Sequence, residues 1–360
     1  MHFNDGKFKI LVLADIHTPD VMPKWTRAFI EKVKQEEKPD LIVLLGDNTA
    51  GAFSGFTEEK TKKAVSEVLS CLGDTPFTVV FGNHDHEGLS SYSETQAKKA
   101  LLGLYTKKDT CLAVCGEEMT GVGNYCVNIK DSENKEDIFS LYFIDSGTYK
   151  DGGYAYVEKD QIEWFERERN GEKKTPCIVF QHIIVPEIYD CLIKSESKKQ
   201  GYVKGQCSYK NAYYALNKEC TVYGSVKEGP CPPNKNGGEF HSWLSDGKVL
   251  AGVFGHDHIN DFDVVHKGIR LLACPSPSFF TYGNNRGVRV ITLSEDDLSS
   301  FSSKVIHYSD YTAEKPLNPF VNRYGIQLYK KKVLPILFSA VGIIGASALA
   351  GILIKKAVKK

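Results

Sequence analysis

The chain has 360 residues, of which 42% are hydrophobic and 25% are charged, as expected for a folded globular protein and not for a disordered one. Its 45 basic and 45 acidic residues give a formal net charge of zero, which argues against a nucleic-acid-binding protein with a basic face. The ten cysteines are too dilute for a scaffold built on disulfides, and none forms the Cys-x-x-Cys spacing of a structural zinc site.

Two sequence features bear on the compartment. Residues 1–6 are polar and lead directly into a predicted strand, which differs from a secretory signal peptide. None of the asparagines begins an Asn-x-Ser/Thr acceptor. Both features favour a reducing, cytosolic setting, in which most cysteines are buried small apolar residues. The four cysteines from Cys191 to Cys231 would need another interpretation in a lumenal protein.

The N-terminal part of the sequence predicts two strand–helix units. An apolar, β-branched strand is predicted over 8–14 and ends in Asp15-Ile16-His17. Apolar residues at helical spacing follow over 25–33. The second strand, Leu41 to Leu45, is wholly aliphatic, which is typical of a strand covered on both faces, and it ends in Gly46-Asp47-Asn48.

The second helix and third strand complete this pattern. The helix has its apolar stripe over 64–72, and Gly73 stands where a helix commonly ends. The strand, 77–81, is followed by Gly82-Asn83-His84-Asp85-His86. A buried strand that ends on such polar groups delivers them to a sheet edge, which is where ligands bind in open α/β folds.

The middle of the chain has shorter elements. Strands are predicted at 124–129, 141–144 and 177–180, and a helix at 160–169. The strand at 177–180 ends in Gln181-His182. Residues 186–238 form the least regular stretch, and a long insertion of this kind is usually functional or mobile.

The last predicted elements of the domain lie between 240 and 293. They are a short helix at 240–244 and strands at 249–254, 269–273 and 288–293. The strand at 249–254 ends in Gly255-His256-Asp257-His258. Residues 294–332 are polar and are predicted to be irregular, so we expect a domain over 1–300 and a linker over 301–332.

Residues 333–354 contain no charge, are preceded by three lysines and are followed by the basic tail 355–360. As a helix they would reach about 33 Å, enough to cross a bilayer, and a buried core helix is the alternative. We expect a single-pass C-terminal membrane anchor with the catalytic domain facing the cytosol. Small residues at Gly342, Ala346 and Ala350 favour close helix pairing and thus a homo-oligomer.

Five predicted strand ends therefore carry potential metal ligands. These are Asp15 and His17, Asp47, Asn83 with His84, His182, and His256 with His258. Carboxylate, carboxamide and imidazole donors without thiolates suit two hard-to-borderline divalent ions. Two ions about 3.5–4 Å apart can clamp the attacking and leaving oxygens of a phosphoryl transfer. Asp47 is the candidate bridge, and the remaining positive charge suits a phosphorylated substrate. The other five histidines, His2, His86, His241, His266 and His307, are predicted to have surface or core roles, although His86 borders the site.

The order of these motifs resembles the calcineurin-like metallophosphoesterases, over roughly residues 7 to 295. Within that family the chain is most similar to the DcrA-type, purple-acid-phosphatase-like proteins. This narrower resemblance is carried by Gly121-x-Gly123-Asn124-Tyr125, Tyr142-Phe143-Ile144-Asp145-Ser146-Gly147, Asp160-Gln161-Ile162-Glu163-Trp164-Phe165 and Gly255-His256-Asp257-His258-x-Asn260-Asp261-Phe262. The resemblance implies an α/β fold, namely a four-layer α/β/β/α sandwich.

The resemblance also implies roles for the site residues. One metal would be held by Asp15, His17, Asp47 and His258, and the other by Asp47, Asn83, His182 and His256. His84 would face the leaving group as general acid or charge stabiliser, and Asp85 would hold its ring.

One motif departs from that of purple acid phosphatases proper. Their tyrosine ligand is missing, because Asn48-Thr49-Ala50 follows Asp47. The two divalent metal ions could therefore be Mn, Fe or Zn. We expect a phosphatase in which a metal-bound hydroxide attacks the phosphate ester in line. Two alternatives stay open: a phosphodiesterase acting on nucleotide or lipid-derived diesters, and a tail-anchored binding module without catalysis.

Overall fold

The computed structural model describes residues 1–51, 55–171 and 174–311. The strands are, in chain order, β1 (Lys7–Leu13), β2 (Leu41–Leu45), β3 (Phe77–Val80), β4 (Tyr125–Lys130), β5 (Asp137–Phe143), β6 (Tyr149–Lys150), β7 (Gly153–Tyr154), β8 (Cys177–Gln181), β9 (Leu192–Ser195), β10 (Val203–Lys204), β11 (Tyr213–Leu216), β12 (Thr221–Tyr223), β13 (Val249–Phe254), β14 (Asp263–His266), β15 (Ile269–Ala273), β16 (Gly287–Ser294) and β17 (Asp297–His307). The α-helices are α1 (Lys24–Glu37), α2 (Glu58–Leu72), α3 (Glu94–Tyr105), α4 (Lys159–Glu168), α5 (Glu239–Asp246) and α6 (Tyr308–Tyr311).

Two mixed sheets form the centre of the domain. The first has the strand order β17-β16-β1-β2-β3, and the second has the order β12-β14-β15-β13-β8-β5-β4. β1, β2 and β3 run parallel, with Val43 opposite both Val12 and Thr78. In the second sheet β5, β8, β13 and β15 are parallel, with antiparallel strands outside them. Each sheet therefore brings the carboxyl ends of its parallel strands to one edge.

Side-chain alternation in the second sheet separates two cores. Phe143 and Phe180 belong to the core shared with β1 to β3, whereas Tyr142 and Val179, their chain neighbours, pack in the core that contains Trp164 of α4 and Trp243 of α5. Successive residues of a strand face opposite sides, so this sheet lies between the first sheet and these two helices.

The first sheet is covered on its outer side by helices with apolar stripes. Phe29 and Val33 of α1 and Val65 and Val68 of α2 are buried in the core with its strands. Thr57 caps the N-terminus of α2, because its side chain accepts a hydrogen bond from Lys60 N at 3.4 Å and so satisfies a free N–H of the first turn. The layers therefore follow the order helices, first sheet, second sheet and helices. This is the expected mixed α/β sandwich.

The region predicted to be irregular after Ser294 contains a strand. β17 pairs antiparallel with β16 along its length, with Val288 opposite Ile306. The prediction that the linker begins at residue 301 is therefore wrong, because the domain continues to at least His307. The strand was missed because it lies at the sheet edge and is rich in serine, so only Ile306 among its residues is buried.

The insertion 186–238 is more regular than predicted. It holds the small sheet β10-β11-β9, and β12 extends the second central sheet by pairing with β14. The predicted membrane-spanning segment, 333–354, lies outside the described residues. Among the residues that the structure does describe, no helix is long and apolar enough to cross a membrane.

Candidate metal centre

The predicted ligands lie where five strands end, and the structure brings them together. The segments after β1 and β2 are hydrogen-bonded to each other, from Asp15 N to Gly46 O at 3.0 Å and from His17 N to Asp47 O at 2.8 Å. The segments after β8 and β13 are joined from Gly255 N to His182 O at 3.1 Å. The two sheets thus present their polar strand ends to one site.

Two overlapping groups of side chains have the spacing of a metal centre. Ligand atoms of Asp15, His17 and His258 lie within 4.8 Å of one another, and so do those of Asp15, Asp47 and His182. His17 Nε2 lies 3.2 Å from His258 Nε2, and His258 Nε2 lies 3.4 Å from Asp15 Oδ1. Imidazole nitrogens this close to each other and to carboxylates suit ligands of a shared cation.

Asp47 occupies the position expected of a bridge. Its Oδ2 lies 3.5 Å from His17 Nε2 and 3.4 Å from His182 Nε2, and these two histidines belong to different predicted metal sites. Its Oδ1 accepts a hydrogen bond of 2.8 Å from the backbone N–H of His84. The carboxylate is therefore fixed by the backbone on one side and faces both imidazoles on the other.

Several buried ligand atoms have no hydrogen-bond partner among the residues that the structure describes. They are Asp15 Oδ1, Asn83 Oδ1, His182 Nε2 and His256 Nε2. Buried polar atoms are almost always satisfied, so four such atoms in neighbouring strand-end segments need an external partner. Divalent cations are partners of the right kind, because oxygen and imidazole nitrogen are the donors that Mn, Fe and Zn accept.

The backbone at the site is held in an unusual conformation. Asp15, His17, Asp47 and His256 have φ values of 53°, 44°, 49° and 71°, in the left-handed region that non-glycine residues rarely adopt. Gly82 permits the close approach of the next segment, because a Cβ there would lie 2.2 Å from Asp47 Oδ1. Strain of this kind persists where the surrounding structure imposes it, often at functional sites.

Hydrogen bonds outside the ligand set orient the ligands. His182 Nδ1 lies 2.9 Å from Leu45 O, so Nδ1–H donates there and Nε2 is left to face the site. Asn83 Nδ2 donates to the Tyr149 hydroxyl at 2.9 Å, which leaves Asn83 Oδ1 as the ligand atom. No local sequence signal predicts this role of Tyr149, because its partner Asn83 is far away in the chain.

The prediction that Asp85 holds the ring of His84 is wrong. His84 Nδ1 is instead 3.0 Å from Glu87 Oε1. The Asp85 carboxylate accepts hydrogen bonds from Asn48 N and Thr49 N, at 2.8 and 3.0 Å, and from Gly82 N, at 2.8 Å. The short 3₁₀ helix Asp85–Leu89 carries Glu87 to the histidine while Asp85 turns inward. Asp85 therefore joins the segments after β2 and β3, and Glu87 is the partner of His84.

Charge interactions within the site indicate that it is built for a cation. Burial alone would lower the pKa of His182, but the carboxylates of Asp47 and Asp15 outweigh it and raise that pKa to about 10. Burial lowers the pKa of His17 to about 4 and that of His256 to about 3, which keeps both imidazoles in the neutral form that binds metal.

Tyrosines border the site on two sides. The ring of Tyr154 contacts that of His256 at a centroid distance of 4.3 Å, and Tyr149 stacks on Tyr154. On the other side Tyr282 stacks on His258 at 4.5 Å, and its hydroxyl donates to Glu228 at 2.7 Å. Tyr149 and Tyr282 are 52% and 41% exposed, so their rings are available to an incoming molecule.

The five histidines predicted to lie outside the site are not among the groups with metal-site spacing in the described residues. His307 is 3.1 Å from Asp261, and His266 is 3.4 Å from Asp190. His86 is partly buried beside the site, and burial lowers its pKa.

Comparisons with known proteins agree with this geometry. The model of the calcineurin-like phosphoesterase family matches residues 8–260. "Probable inactive purple acid phosphatase 29" of Arabidopsis thaliana is 26% identical over 331 residues, which cover 80% of this chain and 77% of that protein. "Phosphatase DCR2" of Saccharomyces cerevisiae is 30% identical over 288 residues, which cover 72% of this chain and 45% of that protein.

A solved structure has the same fold. The crystal structure of a dimetal phosphatase from Danio rerio aligns with a TM-score of 0.50 at 13% identity, covering 84% of this chain and 99% of that one. The polar strand ends, the paired clusters of ligand atoms and these matches lead to one conclusion. The chain belongs to the calcineurin-like phosphoesterase family, and its matches support a hydrolase that acts on phosphoric ester bonds.

Proposed function

We propose that this domain is a phosphatase that hydrolyses a phosphate monoester with two divalent metal ions, Mn, Fe or Zn. The observation that carries the proposal is the set of unsatisfied, buried ligand atoms around Asp47, whose Oδ2 lies 3.5 Å or less from imidazoles of both predicted sites. Asp15, His17, Asp47 and His258 would hold one ion. Asp47, Asn83, His182 and His256 would hold the other.

When bound, the ions lower the pKa of a water so that it can attack at neutral pH, and they neutralise charge on the phosphate. With two carboxylates in the set, Asp15 and Asp47, the site keeps a positive charge that attracts the substrate. The neutral carboxamide of Asn83 preserves that charge, whereas another carboxylate would reduce it.

His84 is the residue that we assign to the leaving group. Its Nδ1 is engaged by Glu87 at 3.0 Å, so Nε2 is the ring nitrogen left to donate a proton. Burial opposes protonation, but the hydrogen bond to Glu87 and the charge of Asp47 raise the pKa of His84 above its ordinary value. The raised pKa favours the protonated imidazole, which can give its proton to the departing alkoxide.

The test compares wild-type protein with Asp47→Ala in elemental analysis and in hydrolysis of phosphomonoesters, phosphodiesters, nucleotides and phosphopeptides. We expect two metal equivalents per wild-type chain, with faster hydrolysis of monoesters. Asp47→Ala should lose at least one equivalent and essentially all hydrolysis. Faster cleavage of diesters would favour a phosphodiesterase, and a metal-loaded protein inactive on the whole panel would favour a binding module. Two full equivalents and normal activity in Asp47→Ala would contradict the metal assignment.

We also propose that 333–354 anchors the protein in a membrane and leaves the catalytic domain on the cytosolic side. The support is the charge-free run with lysines on both sides. As a helix, this segment would be longer than the roughly 30 Å thickness of a hydrocarbon core. The full chain should stay in the membrane pellet after alkaline carbonate, and a chain ending at Lys332 should not. Protease added to intact organelles should digest the catalytic domain. Release of the full chain, or protection of its domain until detergent is added, would contradict this proposal.

A further inference from the structure

Four of the ten cysteines lie in the insertion 186–238, and the fold brings them together as two pairs. The thiols of Cys207 and Cys231 are close enough that each shifts the pKa of the other, and burial together with the neighbouring Cys220 thiol raises the pKa of Cys191. The members of each pair come from separate segments of the insertion. Their proximity is therefore a property of the tertiary fold and not of the local sequence.

Backbone contacts hold the first pair in place independently of the thiols. The Tyr189 hydroxyl donates to Pro230 O at 2.8 Å and accepts from Gln206 N at 3.3 Å. Pro230 and Gln206 are the residues directly before Cys231 and Cys207. One buried tyrosine thus fixes the two segments that carry this pair.

The second pair is fixed by a single residue of β14. Val265 N donates to Cys220 O at 2.7 Å, and Cys191 Sγ donates to Val265 O at 3.8 Å. Asn217 N also donates to Cys191 O at 2.9 Å. The two chain segments that carry these cysteines therefore meet at one strand residue, Val265.

We propose that these pairs are a modification site, at which disulfides Cys191–Cys220 and Cys207–Cys231 form when the folded domain meets a small-molecule disulfide such as oxidised glutathione. In each pair, one protein thiolate attacks a sulfur of the oxidant and releases one thiol of the small molecule. The second protein thiolate then displaces the other thiol and closes the protein disulfide. Two electrons and two protons pass to the oxidant, which leaves as two thiols.

The first pair has the features of a reactive thiol and its resolving partner. Cys207 is partly exposed, and the neighbouring Cys231 thiol lowers the pKa of the Cys207 thiol. A partly exposed thiol with a lowered pKa is the one that attacks first. In the second pair Cys220 is the partly exposed member and Cys191 is buried, so we assign the attack to Cys220.

The two disulfides would enclose overlapping loops. In the sequence, Cys207 lies between Cys191 and Cys220, and Cys231 lies after both. The disulfides would also stiffen the neighbourhood of the metal centre. Cys231 N donates to Asp257 Oδ2 at 3.4 Å, and Asp257 stands between the predicted ligands His256 and His258. Oxidation would therefore constrain both the insertion and the segment after β13.

The experiment uses the full chain, purified in mild detergent under reducing conditions and then exposed to oxidised glutathione. Thiols are counted after denaturation, and disulfide-linked peptides are mapped by mass spectrometry without reduction. We expect four of the ten thiols to disappear, peptides that link Cys191 to Cys220 and Cys207 to Cys231, and a rise in Tm of about 5 °C.

Serine variants give the matched controls. Cys207→Ser should abolish the Cys207–Cys231 peptide and keep Cys191–Cys220, whereas Cys115→Ser, at an exposed cysteine outside the insertion, should keep both. Retention of all ten thiols, glutathione adducts without protein disulfides, or linkage between members of different pairs would each overturn the proposal. None of these readouts depends on phosphatase activity.

Discussion

Replacement of Lys98 by methionine tests whether a buried ion pair stabilises the part of the fold that lies beside the metal centre. Lys98 Nζ lies 2.9 Å from both carboxylate oxygens of Asp145, and each of the two residues is 1% exposed. Asp145 precedes the segment that delivers Tyr149, whose hydroxyl accepts from Asn83. Lys98→Met leaves a buried carboxylate without its cation, while the methionine keeps most of the apolar volume.

The expected loss follows from the remaining partners of the carboxylate. Breaking a buried pair by removing one member destabilises a protein by about 3–5 kcal/mol. Asp145 keeps hydrogen bonds from Val122 N at 2.9 Å and Gly147 N at 3.0 Å, so we expect the lower end, about 3 kcal/mol. For a domain of about 310 residues that corresponds to a fall in Tm of about 5 °C.

The assay is denaturant unfolding of the full chain in detergent, followed by tryptophan fluorescence. The matched control is Lys62→Met, which removes an exposed pair with Glu58 on α2 and should leave the unfolding midpoint nearly unchanged. Adding Asp145→Asn to Lys98→Met should recover part of the loss, because the unpaired charge is removed. Equal midpoints for Lys98→Met and Lys62→Met would refute the reasoning.

Three further outcomes are expected. His84→Ala should keep both metal equivalents and lower kcat by about 10²–10⁴, and a collapse of metal content in elemental analysis would show that the residue is a ligand. Tyr149→Phe should weaken metal affinity by about tenfold, because the hydroxyl orients Asn83; unchanged affinity in a chelator competition would dismiss that role. Burial raises the pKa of Asp246, but its hydrogen bonds and ion pair with Arg169 outweigh burial and lower it. The stabilisation by this carboxylate is then present above its unfolded pKa of about 3.9 and is lost as pH falls through the folded pKa. Asp246→Asn should therefore be less stable than wild type at pH 6 and should approach wild-type stability in acid. A stability difference that does not change with pH would exclude the carboxylate charge as the cause.

The order of ligand-bearing strands could be read from the sequence because its signal is local. At most one residue separates an apolar run from each ligand-bearing position, namely Asp15, Asp47, Asn83, His182 and His256. The carboxyl ends of parallel strands share an edge. That arrangement predicts which residues converge, whereas the four-layer sandwich was expected from the family resemblance. Such strand ends can be predicted from the neighbouring residues alone, without knowledge of distant parts of the chain.

Other features needed the tertiary structure because their partners are distant or their pattern is weak. The choice of Glu87 over Asp85 as the partner of His84 depends on the direction of a short 3₁₀ helix. Strand β17 was not predicted, because this edge strand has a polar face and lacks the alternation of apolar and polar residues that marks a half-buried strand. The cysteine pairs and the Tyr149–Asn83 contact join segments far apart in the sequence, and only the packing of the folded chain decides which of them meet.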